Sequence, residues 1–242
     1  MKSNPQRNNP VSYTSEDFIK LTAEERLLQL HEQWGDKLVA STSFGLQSSV
    51  MLHLISQHIP NIPVIFIDTG YLFPETYHYA EALADRLNIN LQIYVPKYSA
   101  ARIDALWKNV WEQGEEGASR YANITKIEPM NRALNDLGAQ AWISGIRRSQ
   151  SNSRSDKNFL EKQNLITKAY PILDWSEAQI EQYISEFNLP THPLVEKGYV
   201  TAGDIHSTIP LHEASSAEET RFQGGKYECG LHTPSNDSTF IL

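Results

Sequence analysis

Lys37-Leu-Val-Ala-Ser-Thr-Ser-Phe-Gly-Leu-Gln-Ser-Ser-Val-Met-Leu-His-Leu-Ile55 reads as a buried strand, a polar turn and a helix. Val39 and Ala40 close a short apolar run, and Ser41, Thr42, Ser43 and Gly45 form a turn of small residues. Val50, Met51, Leu54 and Ile55 then recur at helical spacing. A turn of this kind bares backbone N–H groups at a helix N-terminus. Those donors, the hydroxyls and the positive end of the helix dipole suit a phosphate or sulfate group. The competing reading is an ordinary strand-to-helix connection with a serine cap.

Working outward, Val64-Ile-Phe-Ile67 is a continuous apolar run, as expected of a central parallel strand covered on both faces, and it ends at Asp68-Thr-Gly70. Polar residues at the carboxyl end of such a strand mark the ligand edge of an open α/β sheet. Pro74 to Leu87 reads as a helix, Leu91 to Val95 as a strand and Ala141 to Ser144 as another, the alternation of a doubly wound fold. Between them, Tyr98 to Gly117 reads as helical, with Leu106, Trp107 and Trp111 spaced for burial, and Glu128 opens a helix to about Leu137. On the amino-terminal side, Thr22-Ala-Glu-Glu25 has capping-box spacing ahead of Leu27, Leu30 and Trp34, while the chain before Thr22 reads as disordered.

At the end of the fourth strand, Gly145-Ile-Arg-Arg-Ser-Gln-Ser-Asn-Ser-Arg154 sets three arginines among serines without one carboxylate. A guanidinium fork holds phosphate oxygens in bidentate pairs, so this loop is the strongest local anion trap in the chain. Its alternative is a solvated surface loop. Leu165 to Leu173 supplies a further strand, and Ser176-Glu-Ala-Gln179 is a second capping box opening a helix to Phe187. Beyond Pro190 the periodicity fades. The chain therefore divides into an N-terminal extension (1–21), a nucleotide-binding α/β domain (22–190) and a C-terminal extension (191–242), ordered in part and ending in a mobile tail.

The 242 residues carry 21 basic against 29 acidic groups, a net charge of -8, which argues against broad electrostatic binding to nucleic acid or an anionic membrane. Any anion site must be local. No stretch approaches a membrane span, and the polar Met1 to Pro10 does not read as a secretory signal, so a cytoplasmic setting is expected. Cys229 is the single cysteine: it has no internal disulfide partner, and zinc or iron–sulfur sites built from several thiolates are excluded within one chain. The eight histidines show no ligand spacing, and no metal site is expected. Cys229 sits in Lys226-Tyr-Glu-Cys-Gly-Leu-His232, a polar setting that favours a reactive thiol over a buried one.

Five stretches in order, Ser41-Thr-Ser-Phe-Gly-Leu-Gln47, Asp68-Thr-Gly-Tyr-Leu-Phe-Pro-Glu75, Lys126-Ile-Glu-Pro-Met-Asn-Arg132, Gly145-Ile-Arg-Arg148 and Glu228-Cys-Gly-Leu-His232, closely resemble the phosphoadenosine phosphosulfate reductase family. The similarity runs from about residue 22 to 232. It implies an open, mostly parallel sheet with helices on both faces, like that of the adenine nucleotide alpha hydrolases. It also implies reduction of 3'-phosphoadenylyl sulfate to sulfite and adenosine 3',5'-bisphosphate, with thioredoxin or glutaredoxin as electron donor, no bound cofactor, and a homodimer. By matching position the resemblance makes Cys229 the nucleophile, with Lys126 and His232 beside it in catalysis. Ser41, Ser43, Gly45 and Gln47 match the phosphate loop, and Asp68, Thr69 and Gly70 the nucleotide-side strand end. Arg147 and Arg148, with Lys126, match the charges that hold the phosphosulfate and 3'-phosphate. His206, within Gly203-Asp-Ile-His-Ser-Thr208, matches a family segment and is placed with the substrate-binding residues.

Two features depart from relatives. Adenylyl-sulfate reductases with an iron–sulfur cluster carry extra cysteines that this chain lacks, which favours the 3'-phosphorylated substrate, although cluster-free enzymes accepting adenylyl sulfate exist in the wider family. Asn152 stands where a glycine is common, and asparagine tolerates positive φ. The other competing readings are an ATP pyrophosphatase of the same fold, whose magnesium-binding aspartate is replaced here by Phe44-Gly45-Leu46, and a non-catalytic nucleotide-binding protein.

Overall fold

A computed structural model describes residues 14–221. Six strands form one sheet: β1 (Leu38–Thr42), β2 (Val64–Ile67), β3 (Leu91–Tyr94), β4 (Ala141–Ser144), β5 (Leu160–Gln163) and β6 (Ile166–Ala169). Their order is β3-β2-β1-β4-β6-β5, parallel throughout except for the antiparallel β5–β6 pair. The chain winds outward from β1 to β3 and then returns to lay β4 on the other side of β1. That reversal is a topological switch point, and in open α/β sheets the ligand crevice lies outside the carboxyl ends of the strands that flank it.

The period-two alternation of the strands sorts their side chains onto two cores. Leu38, Ala40, Val64, Phe66, Ala141 and Ile143 face the larger one, shared with α2 (Ala23–Trp34), α3 (Ser48–His58), α4 (Pro74–Leu87) and α8 (Glu177–Glu186). Val39, Ile65, Trp142 and Ile166 face the opposite side, where α7 (Glu128–Asp136) supplies Met130, Ala133 and Leu134. Both expected capping boxes form: Thr22 Oγ1 accepts the Glu25 N–H at 3.2 Å while Glu25 accepts the Thr22 N–H at 2.8 Å, and Ser176 and Gln179 repeat the pattern.

Several expectations are corrected. The chain ahead of Thr22 is not disordered from residue 14 onward: α1 (Ser15–Ile19) carries its own capping box and buries Phe18. Ser15 Oγ both donates to the Leu160 carbonyl and accepts the Leu160 N–H, each at 2.9 Å, which covers part of the edge strand β5. The single strand read over Leu165 to Leu173 is instead the second arm of a hairpin, turned at Asn164 with φ 54°. In the tryptophan-rich stretch, α5 (Ala100–Leu106), a 3-10 turn (Val110–Glu112) and α6 (Gly114–Ala122) bury Ile103, Val110 and Tyr121 in turn, while Leu106 is 54% exposed. The helix read as starting at Glu128 runs on from α6 through a π-helical segment, Asn123–Ile127. Asn152 opens a 3-10 turn and is not left-handed. Among the described residues no helix is long and apolar enough to cross a membrane.

Candidate active site

The loop after β1 is held by side-chain hydrogen bonds at the switch point. Ser41 lies opposite Ser144 in the β1–β4 register, and its hydroxyl accepts the Trp142 indole N–H at 2.7 Å. Thr42 Oγ1 accepts the Phe44 N–H at 3.0 Å, and Phe44 takes a left-handed φ of 47° with its ring fully buried, edge-on to Phe66 at 4.9 Å. An aromatic residue at positive φ costs conformational energy, and such strain collects where the surrounding packing fixes a functional loop. The turn then feeds α3, where the Ser48 N–H is taken by the Gly45 carbonyl at 3.0 Å and the Val50 N–H by the Gln47 carbonyl at 3.3 Å, so the helix start is partly closed by its own backbone. Ser43 is exposed, and Gly45 is half-buried.

Gln47 and Arg147 come together across this crevice. Arg147 is 2% exposed and donates to Glu177 at 2.9 Å and to the Gln47 side-chain carbonyl, while the Gln47 amide donates to Glu177. The loop read as free of carboxylates is thus served by one from the first turn of α8, which sequence-local reading could not supply. Arg148 faces elsewhere: its guanidinium donates to the Lys157 carbonyl at 3.2 and 2.8 Å and lies 5.4 Å from the Phe159 ring centre.

At the end of β2, Asp68 closes a tight turn by accepting the Gly70 N–H at 2.8 Å and the Tyr77 hydroxyl at 2.7 Å. Gly70 has φ +79°, and a Cβ there would meet the Ala100 Cβ at 3.2 Å, so the turn requires glycine. Thr69 donates to Asp204 at 2.5 Å and accepts the Tyr71 N–H at 3.2 Å. Asp204 in turn pairs with Lys126 Nζ at 2.6 Å. Lys126 projects from the π-helical segment, a helix irregularity frequent at functional sites, with its ammonium 5.7 Å from the Tyr121 ring centre. Asp204 and His206 arrive from the segment beyond Pro190, which has more to bury than its fading periodicity suggests: Leu194, Asp204, Ser207, Thr208 and Thr220 are all buried. Cys229 and His232 lie outside the described residues, as does the expected mobile tail.

His206 completes an aromatic group. It stacks on Trp111 at 3.7 Å and 20°, and meets Tyr71 and Tyr121 edge-on at 5.3 and 4.9 Å. Its Nε2 is buried without a hydrogen-bond partner among the described residues. Burial pushes the imidazole down to about 4, although Asp204 pulls the other way. For Asp204, burial would raise the carboxyl, but the Lys126 ammonium beside it and the Thr69 hydroxyl hold it down at about 2.

These shifts set separate acid windows. The His206 value lies below the ordinary 6.5, so the unfolded chain takes up that proton first and stability falls as the pH drops from about 6.5 to about 4. The Asp204 contribution is present above 3.8 and is lost only as the pH falls toward about 2. Thermal melting followed from pH 7 to 4 should show a shallower fall in His206→Phe than in the parent. Parallel curves would contradict the assignment. His53 and His192 are also depressed, chiefly by burial, so the difference between the two proteins is the informative quantity.

Among the described residues no three histidines, cysteines or carboxylates are grouped to hold a metal ion. A cleft of about 570 Å³ opens along α7, lined by Lys97, Tyr98, Glu128, Arg132 and Asp136 among others, and none of the sequence-predicted site residues lines it.

The model of the phosphoadenosine phosphosulfate reductase domain family matches residues 37–210. Among curated relatives, the phosphoadenosine 5'-phosphosulfate reductase of Thiocapsa roseopersicina is 47% identical over 219 residues, covering 90% of this chain and 92% of that protein. The enzyme of the same name from Salmonella arizonae is 48% identical over 222 residues, 92% of this chain and 91% of the other. Among solved structures, phosphoadenylyl-sulfate reductase from Candida auris, in its phosphate complex, superposes with a TM-score of 0.70 at 30% identity, covering 82% of this chain and 99% of that one. FMN adenylyltransferase from Candida glabrata, at 16% identity and a TM-score of 0.58 over 83% of this chain and 73% of its own, shares the fold.

Proposed function

The chain belongs to the phosphoadenosine phosphosulfate reductase family, and from that premise we propose that it reduces 3'-phosphoadenylyl sulfate through a sulfonate carried on Cys229, with thioredoxin or glutaredoxin as the electron donor. The observation that carries this reading is the gathering of Gln47, Thr69, Lys126 and Arg147 around the carboxyl ends of β1, β2 and β4 in a chain of net charge -8. Both cations are buried beside a carboxylate, Arg147 with Glu177 and Lys126 with Asp204, and in an acidic protein such a local concentration supports a site for a polyanion.

In the proposed reaction the Cys229 thiolate attacks the sulfonate sulfur. The sulfur–oxygen bond to the phosphate breaks, and adenosine 3',5'-bisphosphate leaves with the electron pair. A thiolate of the reduced donor then attacks the Cys229 sulfur and expels sulfite. The donor's second cysteine resolves the mixed disulfide, so the donor dithiol is oxidised as the sulfonate is reduced. Lys126 and Arg147 neutralise charge on the phosphosulfate, the α3 N-terminus serves the remaining phosphate together with Arg148 once that side chain leaves the Lys157 carbonyl, and His232 lies three residues from the nucleophile. Arg147 is already held by Glu177 and Gln47, so it reaches a phosphate oxygen by giving up or sharing these partners. Homodimerisation, a cytoplasmic setting and the absence of a bound cofactor complete the proposal and rest on the family likeness.

The test is sulfite release with reduced thioredoxin, comparing 3'-phosphoadenylyl sulfate with adenylyl sulfate. We expect kcat/KM at least about 100-fold higher with the 3'-phosphorylated nucleotide, the scale of two charge-assisted contacts to one phosphate. Equal rates would move the assignment to a cluster-free adenylyl-sulfate reductase. No sulfite from either would overturn it.

A further inference from the structure

Asp204 is the one carboxylate that is fully buried among the described residues. It belongs to neither the strands nor the loops that make the sheet's ligand edge, yet it is fastened there through both backbone and side chain. Its backbone bridges to Leu72, the next N–H, of Ile205, donates to the Tyr71 carbonyl at 2.8 Å, and its carboxylate takes the Thr69 hydroxyl on one oxygen and Lys126 Nζ on the other. A buried ion pair contributes little net stability compared with apolar side chains of the same volume, so its presence here calls for another reason. Its place beside Thr69 and Lys126 supplies one.

Resting on the reductase reading above, we propose that Asp204 is a positioning residue: it fixes the Lys126 ammonium at the carboxyl end of β2, so that the two N–H donors left over from the pair are aimed at the phosphosulfate group. An ammonium on a four-carbon stem carries no directional preference of its own. A carboxylate oriented by Thr69 gives it one before the substrate arrives, and small misplacements of such a group are costly in rate. The Thr69–Asp204–Lys126 chain also joins the segment beyond Pro190 to the strand edge, which places this part of the C-terminal extension within the site.

The experiment is a double-mutant cycle in steady-state sulfite release on the full chain. Asp204→Asn, which preserves shape and can still accept from Thr69, should lower kcat about 100-fold, while the affinity for adenosine 3',5'-bisphosphate, measured by calorimetry, changes less than about threefold. In a Lys126→Ala background the same substitution should cost nothing further, because the residue through which it acts is gone. A purely structural role would lower melting temperature and scale the active fraction equally in both backgrounds. Should Asp204→Asn not fold, Thr69→Val removes only the orienting hydroxyl and should show a smaller loss with the same dependence on Lys126. Additive losses, or an Asp204→Asn enzyme with parental kcat, would overturn the proposal. A parent that releases no sulfite would overturn the reductase reading and this inference together.

Discussion

Cys229→Ser is expected to lower sulfite release by a factor on the order of 10⁴ or more, the scale seen when a covalent nucleophile is removed, with affinity for adenosine 3',5'-bisphosphate unchanged within about threefold. A thiol is a few per cent ionised near neutrality and titrates near 8.5, whereas an alcohol in the same place has no accessible anion without a strong base. Lys226 and His232, each three residues from Cys229, together with Lys126 and the arginines of the site, are the cations that would favour the thiolate, and Glu228 opposes them. Serine retains size and polarity, so nucleotide binding reports that the fold and the phosphate sites are intact. A serine variant with more than a few per cent of parental turnover would rule out the sulfur as nucleophile.

The second large effect concerns stability. Arg26 is 2% exposed in the middle of the main core, and every arm of its guanidinium is used. Nε donates to the Phe18 carbonyl at 2.8 Å and Nη1 to the Pro171 carbonyl at 2.7 Å. Nη1 and Nη2 grip Asp174 at 2.8 and 2.9 Å, and the guanidinium lies 4.0 Å from the Phe159 ring centre. One side chain thus ties α1, α2 and the turn after β6 together. Arg26→Ala leaves two carbonyls without their donor and a hole beside Phe159. Asp174 is 42% exposed and can be rehydrated, which moderates the loss to about 3 kcal/mol. For a chain of this size that corresponds to a melting temperature lower by about 6–12 °C. Arg26→Lys should recover only part of it, because one ammonium cannot replace a fork with three receivers. A shift of less than about 2 °C in Arg26→Ala would contradict this account.

What could be read from the sequence was what is encoded locally. The Lys37–Ile55 stretch, the Val64–Ile67 run and the Thr22 and Ser176 caps each declare themselves within about twenty residues, and each forms the elements read from it. α1 was missed because Ser15–Ile19 is one short turn whose stability comes from burying Phe18, not from its own pattern. β5 was missed because an edge strand reading Leu-Glu-Lys-Gln has no apolar period to detect. The site divides in the same way. The loops carrying Gln47, Thr69, Lys126 and Arg147 are visible as motifs, but the carboxylates that hold the two cations are not. Glu177 lies 30 residues beyond Arg147, and Asp204 lies 78 residues beyond Lys126. Pairings of that span are set by strand order, and the order was not deducible from the alternation of elements alone. A buried aspartate in a weakly patterned segment would have been the one signal to follow.

The most direct test of the central claim is the intact mass of the reduced protein after mixing with 3'-phosphoadenylyl sulfate in the absence of any thiol donor. The account predicts one sulfonate on the parent chain, none on Cys229→Ser, and its discharge as sulfite when reduced thioredoxin is added. An unmodified parent that nevertheless binds the nucleotide, or an adduct that persists in Cys229→Ser, would contradict it.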